Sequence, residues 1–266
     1  LIKKMINKDF KRRRDLLLRK IEDNSIVILF SGLEKSRNND VNYKFRQSSN
    51  FFYLTGINNP SMLLIITKTS NRHSTTLVCD RPNDIDKIWH GQLPSKSSYK
   101  NQFEIQNVLY FDELKSLELN DAKNIYFEFV DENRLNEFIS NLNLSQPRSR
   151  YLRNNTSRST KIDLSNLIFD MRRIKSKSEV SLIRHAAKIS AKAHINIMKS
   201  CKSGLKEYEV EADFIKHCMS ERCEQAYPAI VASGKNACVL HYTKNNAILR
   251  SNSLLLVDAA AEYDNY

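Results

Sequence analysis

AYPAIVASGKNACVLHYTKNN (226–246) and SLLLVDAAAEYDNY (253–266) close the chain, and how they are read decides the fold. His241 ends the apolar run Ala237-Cys238-Val239-Leu240, and Asp258 ends the run Leu254-Leu255-Leu256-Val257. An ionisable group at the end of a buried strand stands at the rim of a sheet, where it meets a ligand while its backbone stays rigid. Both runs are therefore read as strands carrying candidate chemistry. A buried aspartate at such a place is costly unless it is paired or bound to a metal. Each residue also has a plainer reading. Asp258 can cap a turn after a core strand, and His241 can be a histidine satisfied by its neighbours.

Upstream, Ser176-Lys177-Ser178-Glu179 fits a capping box, so a helix is expected from there to about Ser200. Val180, Ile183, Ala187, Ile197 and Met198 are its core-facing candidates, and Gly204 is its expected left-handed stop. A second helix is expected from Tyr208 to Met219, with Val210, Phe214 and Cys218 on one face. Helix, helix, strand, strand from Met171 onward reads as a domain that opens at 171 and is expected to be unfinished at 266. The first 170 residues alternate differently. SIVILF (25–30), Ser61 to Thr67, Ser74 to Cys79, Val108 to Phe111 and Ile125 to Phe129 have strand length, the second and third forming a hairpin. Asp9 to Ile21 and Asp131 to Leu142 have helical spacing, with Phe10, Leu16, Leu17, Leu18 and Ile21 as the apolar positions of the first. This alternation implies an α/β domain. Gln146 to Lys161, polar and basic, reads as a linker or a surface loop.

The net charge of +12 raises nucleic acid as a partner. The basic residues are spread along the chain, however, and the tightest run, Lys11-Arg12-Arg13-Arg14, reads as the solvated face of a helix. No nucleic-acid partner is expected. No apolar run reaches membrane-span length, so no membrane partner is expected either. Five cysteines form neither a CxxC pair nor an even framework, which points to free, mostly buried thiols and a cytoplasmic location. His73, His90, His185, His194 and His217 take the plain structural reading, and no HExxH, GxSxG, phosphate loop or GxGxxG is present. The chain opens on Leu1, and Met5 offers an alternative start.

MRRIKSKSEVSLIRHAAKISAKAH (171–194), together with the two closing segments, resembles the proline-specific metallopeptidases of the aminopeptidase P family, of pita-bread fold. YKFRQSSNFFYLTG (43–56) and DRPNDIDKIWHG (80–91) are similar to that family's N-terminal domain. The resemblance implies an α/β (α+β) chain: an N-terminal domain over 1–170, then an incomplete pita-bread catalytic domain over 171–266. It implies an aminopeptidase removing the N-terminal residue from peptides with proline at position two, using two divalent metal ions, usually Mn2+, and working as a homo-oligomer. Asp258 then matches the first metal ligand. His241 matches a substrate-handling histidine that is not a ligand, and Trp89 offers an apolar wall for substrate or, equally, a core anchor. The second aspartate of the pattern would fall just past Tyr266, so residues 1–266 alone are expected to be inactive. The alternatives are a prolidase-like Xaa-Pro dipeptidase and a non-catalytic peptide-binding relative. Ala259 and Ala260 stand where the family often has glycine, a departure a methyl group should tolerate.

Overall fold

The computed structural model describes residues 2–91, 93–116, 122–144 and 159–266. It divides into two compact units, Leu1–Ile174 and Lys175–Tyr266.

The first unit is built on SIVILF. This run forms β1 (Ser25–Phe30), buried along its whole length. Around it lie α1 (Ile2–Lys20), β2 (Ser36–Asn38), β3 (Val41–Asn42), α2 (Ser49–Thr55), β4 (Leu63–Lys68), β5 (His73–Cys79), α3 (Asp84–His90), α4 (Lys96–Phe103), β6 (Asn107–Tyr110), β7 (Asn124–Phe127), α5 (Glu132–Leu144), β8 (Thr160–Asp163) and α6 (Ser165–Arg173). Six strands make one mixed sheet in the order β6-β5-β4-β1-β7-β8. The expected hairpin is there, β4 and β5 pairing antiparallel from Leu63 opposite Val78 to Lys68 opposite His73. β1 runs antiparallel to β4 and parallel to β7. Val27 and Leu29 enter a core shared with Leu17, Phe51 and Leu64, while Ile26, Ile28 and Phe30 enter a second core with Phe127 and Leu135. Two covered faces explain why β1 reads as a continuous apolar run rather than an alternating one. Most of the expected linker lies outside the described residues; Thr160 and Lys161, at its end, already belong to β8.

The basic run of α1 is not a solvated face. Arg13 and Arg14 are buried. Arg14 Nη1 donates to Leu54 O at 2.8 Å, and its Nη2 donates to Phe103 O and Glu104 O, both at 2.8 Å. Arg13 Nη1 donates to Tyr53 O at 3.0 Å, with its guanidinium 4.2 Å from the Tyr53 ring centroid. Tyr53 and Leu54 lie in the last turn of α2, and Phe103 and Glu104 end α4. The last carbonyls of a helix lack intrahelical donors and carry its negative dipole end. The two arginines therefore cap two helices at once, which overturns the reading of this run as solvated. Lys11 and Arg12 do face solvent.

The aromatic stretch 43–56 ends on Gly56, whose φ of 74° closes α2 while its N–H donates to Phe52 O at 2.8 Å. A Cβ there would lie 2.2 Å from Phe10 Cε2, part of a ring buried in α1. Gly56→Ala combines a left-handed backbone with an overpacked core and is expected to destabilise the first unit by about 2–4 kcal/mol. Urea unfolding reads this as a lowered midpoint at unchanged slope.

The second unit comprises α7 (Lys177–Ser200), α8 (Glu207–Ser220), β9 (Glu224–Gln225), β10 (Ile230–Ser233), β11 (Leu255–Asp258) and β12 (Ala261–Glu262). The expected capping box is present: the Ser176 hydroxyl accepts from Glu179 N, and Glu179 Oε2 accepts from Ser176 N. The expected core face of α7 is wrong for all but Ile197. The buried stripe is Leu182, Ala186, Ile189, Ala193 and Ile197, and Met198 is 71% exposed. α7 carries two apolar stripes, and Ile189, Ala193 and Ile197 of the buried one share a core with Val210, Phe214 and Cys218 of α8. Gly204 has φ 94° but lies in the turn beyond the helix, whose C-cap is Cys201 in an extended conformation. On α8, Val210, Phe214 and Cys218 are buried as expected. All five cysteines are free; Cys79, Cys218 and Cys223 are buried, and Cys238 is exposed.

Candidate active site

The strand before His241 is not where the apolar run suggested. Residues 230–233 form β10, and Gly234–Cys238 is a 3-10 turn. The run 237–240 begins in that 3-10 turn, pairs with no strand and leads outward, with Leu240 89% exposed. His241 follows it in a turn and is exposed, so it projects from a loop rather than from a strand end. The signal missed in the sequence was Ala229-Ile230-Val231-Ala232, of which Ala229, Val231 and Ala232 are buried.

Asp258 is the last residue of β11 and lies opposite Ile230 of β10. The strand is half exposed rather than buried, alternating inward Leu255 and Val257 with outward Leu256 and Asp258. Asp258 Oδ1 accepts a hydrogen bond from Tyr227 Oη at 2.5 Å. This bond, with burial added, pushes the Tyr227 hydroxyl up to about 12, so it remains a donor across the physiological range. Nothing in the sequence singled out Tyr227 beyond its place in the quoted stretch. The backbone after Asp258 is held from α7: His194 Nε2 donates to Ala259 O at 2.9 Å, and Ala261 N donates to Ser190 Oγ at 2.9 Å. His194 also meets the Phe214 ring edge-on at 5.4 Å. Neither Ala259 nor Ala260 has a positive φ, so both methyl groups are accommodated.

His241 and Asp258 belong to opposite ends of the β10–β11 ladder. The loop bearing His241 leaves where Ser233 pairs with Leu255, three residues from Asp258. That loop, 234–247, wraps around a buried carboxylate, Glu207 of α8. Glu207 Oε1 accepts from Ser233 N at 2.7 Å, Ser233 Oγ at 2.8 Å and Asn236 Nδ2 at 3.2 Å. Its Oε2 accepts from Tyr242 Oη at 2.7 Å and Ala247 N at 2.9 Å. Burial alone would raise the Glu207 pKa, but two backbone N–H donors and the Tyr242 and Ser233 hydroxyls outweigh it and hold the carboxyl at about 2. Asn245, buried at φ 44°, returns the loop to β10, accepting from Val231 N at 3.0 Å and donating to Ala229 O at 2.9 Å.

As a donor, the exposed Asp258 carboxylate suits a hard divalent ion, with Oδ1 already engaged by Tyr227. Among the described residues, no three His, Cys, Asp or Glu side chains are grouped to hold a metal ion. Trp89 lies on α3 and is 75% exposed, beside exposed Ile85 and Ile88, which removes the reading of it as a core anchor. Among the described residues, no helix is long and apolar enough to cross a membrane.

Residues 10–126 match the family model for the aminopeptidase P N-terminal domain, and residues 181–266 match that of metallopeptidase family M24. An Xaa-Pro aminopeptidase of Escherichia coli K12 is 31% identical over 264 residues, covering 97% of this chain and 59% of that protein. The Homo sapiens Xaa-Pro dipeptidase is 28% identical over 250 residues, covering 91% of this chain and 49% of that one. Proline aminopeptidase P II from Yersinia pestis superposes with a TM-score of 0.89 at 30% identity, over 98% of this chain and 61% of that structure. The chain thus spans 59% and 61% of the length of these two aminopeptidase relatives.

Proposed function

This chain belongs to the aminopeptidase P branch of metallopeptidase family M24, and from that premise we propose that the protein is a metal-dependent Xaa-Pro aminopeptidase. It removes the first residue of peptides whose second residue is proline. The observation that carries the reading is Asp258: a strand-end carboxylate, exposed, with one oxygen fixed by Tyr227. Asp258 is one ligand of a centre of two divalent ions, manganese by preference, because oxygen donors suit hard cations. Two such ions, where bound, would supply Lewis-acid chemistry toward water and the scissile carbonyl. The Tyr227 hydroxyl holds the carboxylate rotamer through Oδ1, so that Asp258 would be oriented for an ion. His241, exposed on its loop, handles substrate rather than metal. Trp89 and its exposed neighbours on α3 serve as an apolar surface for substrate and for assembly into a homo-oligomer, dimer or tetramer. Free cysteines support a cytoplasmic location. The burial of Arg13 and Arg14 weakens the tightest basic run, which supports a protein without nucleic-acid partners.

The test compares release of the N-terminal residue from Xaa-Pro-Yaa and Xaa-Pro peptides, with Mn2+, by the protein from its natural gene. Cleavage of the tripeptide, abolished in Asp258→Ala and reduced in His241→Ala, is the expected result. Cleavage of Xaa-Pro alone would favour the dipeptidase reading, for which the likeness to the human Xaa-Pro dipeptidase speaks. Wild-type turnover by Asp258→Ala would sink the proposal. The polypeptide 1–266 by itself is expected to release nothing, because one carboxylate cannot hold two ions.

A further inference from the structure

Glu207 is a buried acid that the proposed chemistry does not use, and its geometry is unusual for a structural carboxylate. Each of its oxygens serves a different end of the same loop. Oε1 holds the departure point at Ser233 and Asn236, and Oε2 holds the return at Tyr242 and Ala247. Tyr242 is the residue next to His241 and also receives a hydrogen bond from Asn236 Nδ2 at 3.0 Å. The backbone repeats the closure, since Glu207 N donates to Ala247 O at 2.9 Å.

We infer that Glu207 is a positioning residue for His241: it fixes the loop 234–247 through Tyr242 and so sets the direction in which the exposed imidazole points. A carboxylate is required for this. Only an ionised carboxyl offers acceptor sites on both oxygens, whereas a glutamine keeps one acceptor and turns two donors toward the donors of the other arm. The low pKa of Glu207 keeps the clamp ionised at neutral pH. The inference bears on catalysis only through the reading of His241 as a substrate-facing residue. Its own claim is about loop geometry.

The experiment uses the protein from its natural gene and no substrate, so a failed peptidase assay leaves it standing. Histidine ring resonances and amide hydrogen exchange are recorded for wild type, Tyr242→Phe and Glu207→Gln. Tyr242→Phe removes the bond to Glu207 Oε2 together with the bonds of the same hydroxyl to Asn236 Nδ2 and Asn246 Oδ1, all within the loop, and leaves Ser233, Asn236 and Ala247 bound to Glu207. It is expected to shift the His241 ring resonances and speed exchange at residues 239–243 by about tenfold or more, since loss of the Glu207 bond alone would give about that much. His185, His194 and His217, on α7 and α8, should stay in place. Glu207→Gln is expected to move His241 further and to loosen one end of the loop. Unchanged His241 resonances in Tyr242→Phe overturn the inference, even if Glu207→Gln lowers the melting temperature, because that pattern is a structural role alone. A shift shared by all four histidines in Tyr242→Phe overturns it as well, as a general loosening. Should Glu207→Gln fail to fold, Tyr242→Phe decides.

Discussion

Arg14→Ala is expected to lower the stability of the first unit by about 4 kcal/mol, a large share of what holds a domain of this size together. Three hydrogen bonds from one charged group are lost, each worth roughly 1.5–3 kcal/mol when the donor is ionised. The carbonyls of Leu54, Phe103 and Glu104 are left at two helix ends with no donor to replace the guanidinium. Burial lowers the guanidinium pKa to about 10, against the opposing pull of Asp15 and Glu104, so the group stays charged at neutral pH and acts on both helix dipoles. Arg14→Lys should recover less than half of the loss, because a single ammonium cannot span carbonyls on α2 and α4 in one geometry. Urea unfolding, with hydrogen exchange of the β1 amides to assign the change to this unit, makes the measurement. A midpoint for Arg14→Ala indistinguishable from wild type would refute the capping role.

The second unit should be acid-labile in a defined window. Glu207 titrates at about 2 in the fold against 4.5 ordinarily, so the folded state binds the carboxyl proton less readily than the unfolded chain does. The stabilisation is present in full above about pH 4.5 and is lost as pH falls towards 2. Its size is on the order of 3 kcal/mol for a shift of this extent. Solvent lies just beyond the loop that covers Glu207, and its screening lowers the realised figure to about 1–2 kcal/mol. Stability of the second unit, measured between pH 6 and pH 2.5, is expected to fall in wild type and to slope less in Glu207→Gln. Glu207→Ala, which strands two backbone donors, should cost about as much at neutral pH as acid does in wild type. Parallel pH curves for wild type and Glu207→Gln would show that another carboxyl sets the slope.

The sequence was legible where one period dominated and a single partner was needed. β1, β4 and β5 were readable because both of their faces are covered, which leaves long apolar runs. The α7 start was readable because a capping box is local chemistry, spelled in four consecutive residues. Failures came where the partner is distant or the pattern double. Lys11-Arg12-Arg13-Arg14 resembles a solvated face because the carbonyls it serves lie 40 and about 90 positions away. α7 presents Val180, Ile183 and Met198 on one side and Leu182, Ala186 and Ile189 on another, and period alone favours the bulkier, wrong set. At the site, Asp258 stood out because a charge ended an apolar run. Tyr227 and Glu207 did not, because a tyrosine and an acid in the first turn of a helix are ordinary until their partners are known.

The placing of β1 in the middle of its sheet has a consequence for how this chain is made. Its antiparallel partner β4 follows soon after, but Ser25 waits for Asn124, 99 positions later, to close its other side. At ribosomal rates of 5–20 residues per second, that is roughly 5–20 s during which the most apolar strand of the unit has one open edge. The meander β1-β4-β5 can assemble at once, and β7 and β8 dock on it late. A nascent chain stalled between residues 80 and 120 therefore displays an unpaired row of backbone donors and acceptors on SIVILF, which is where a chaperone would bind and where aggregation would start.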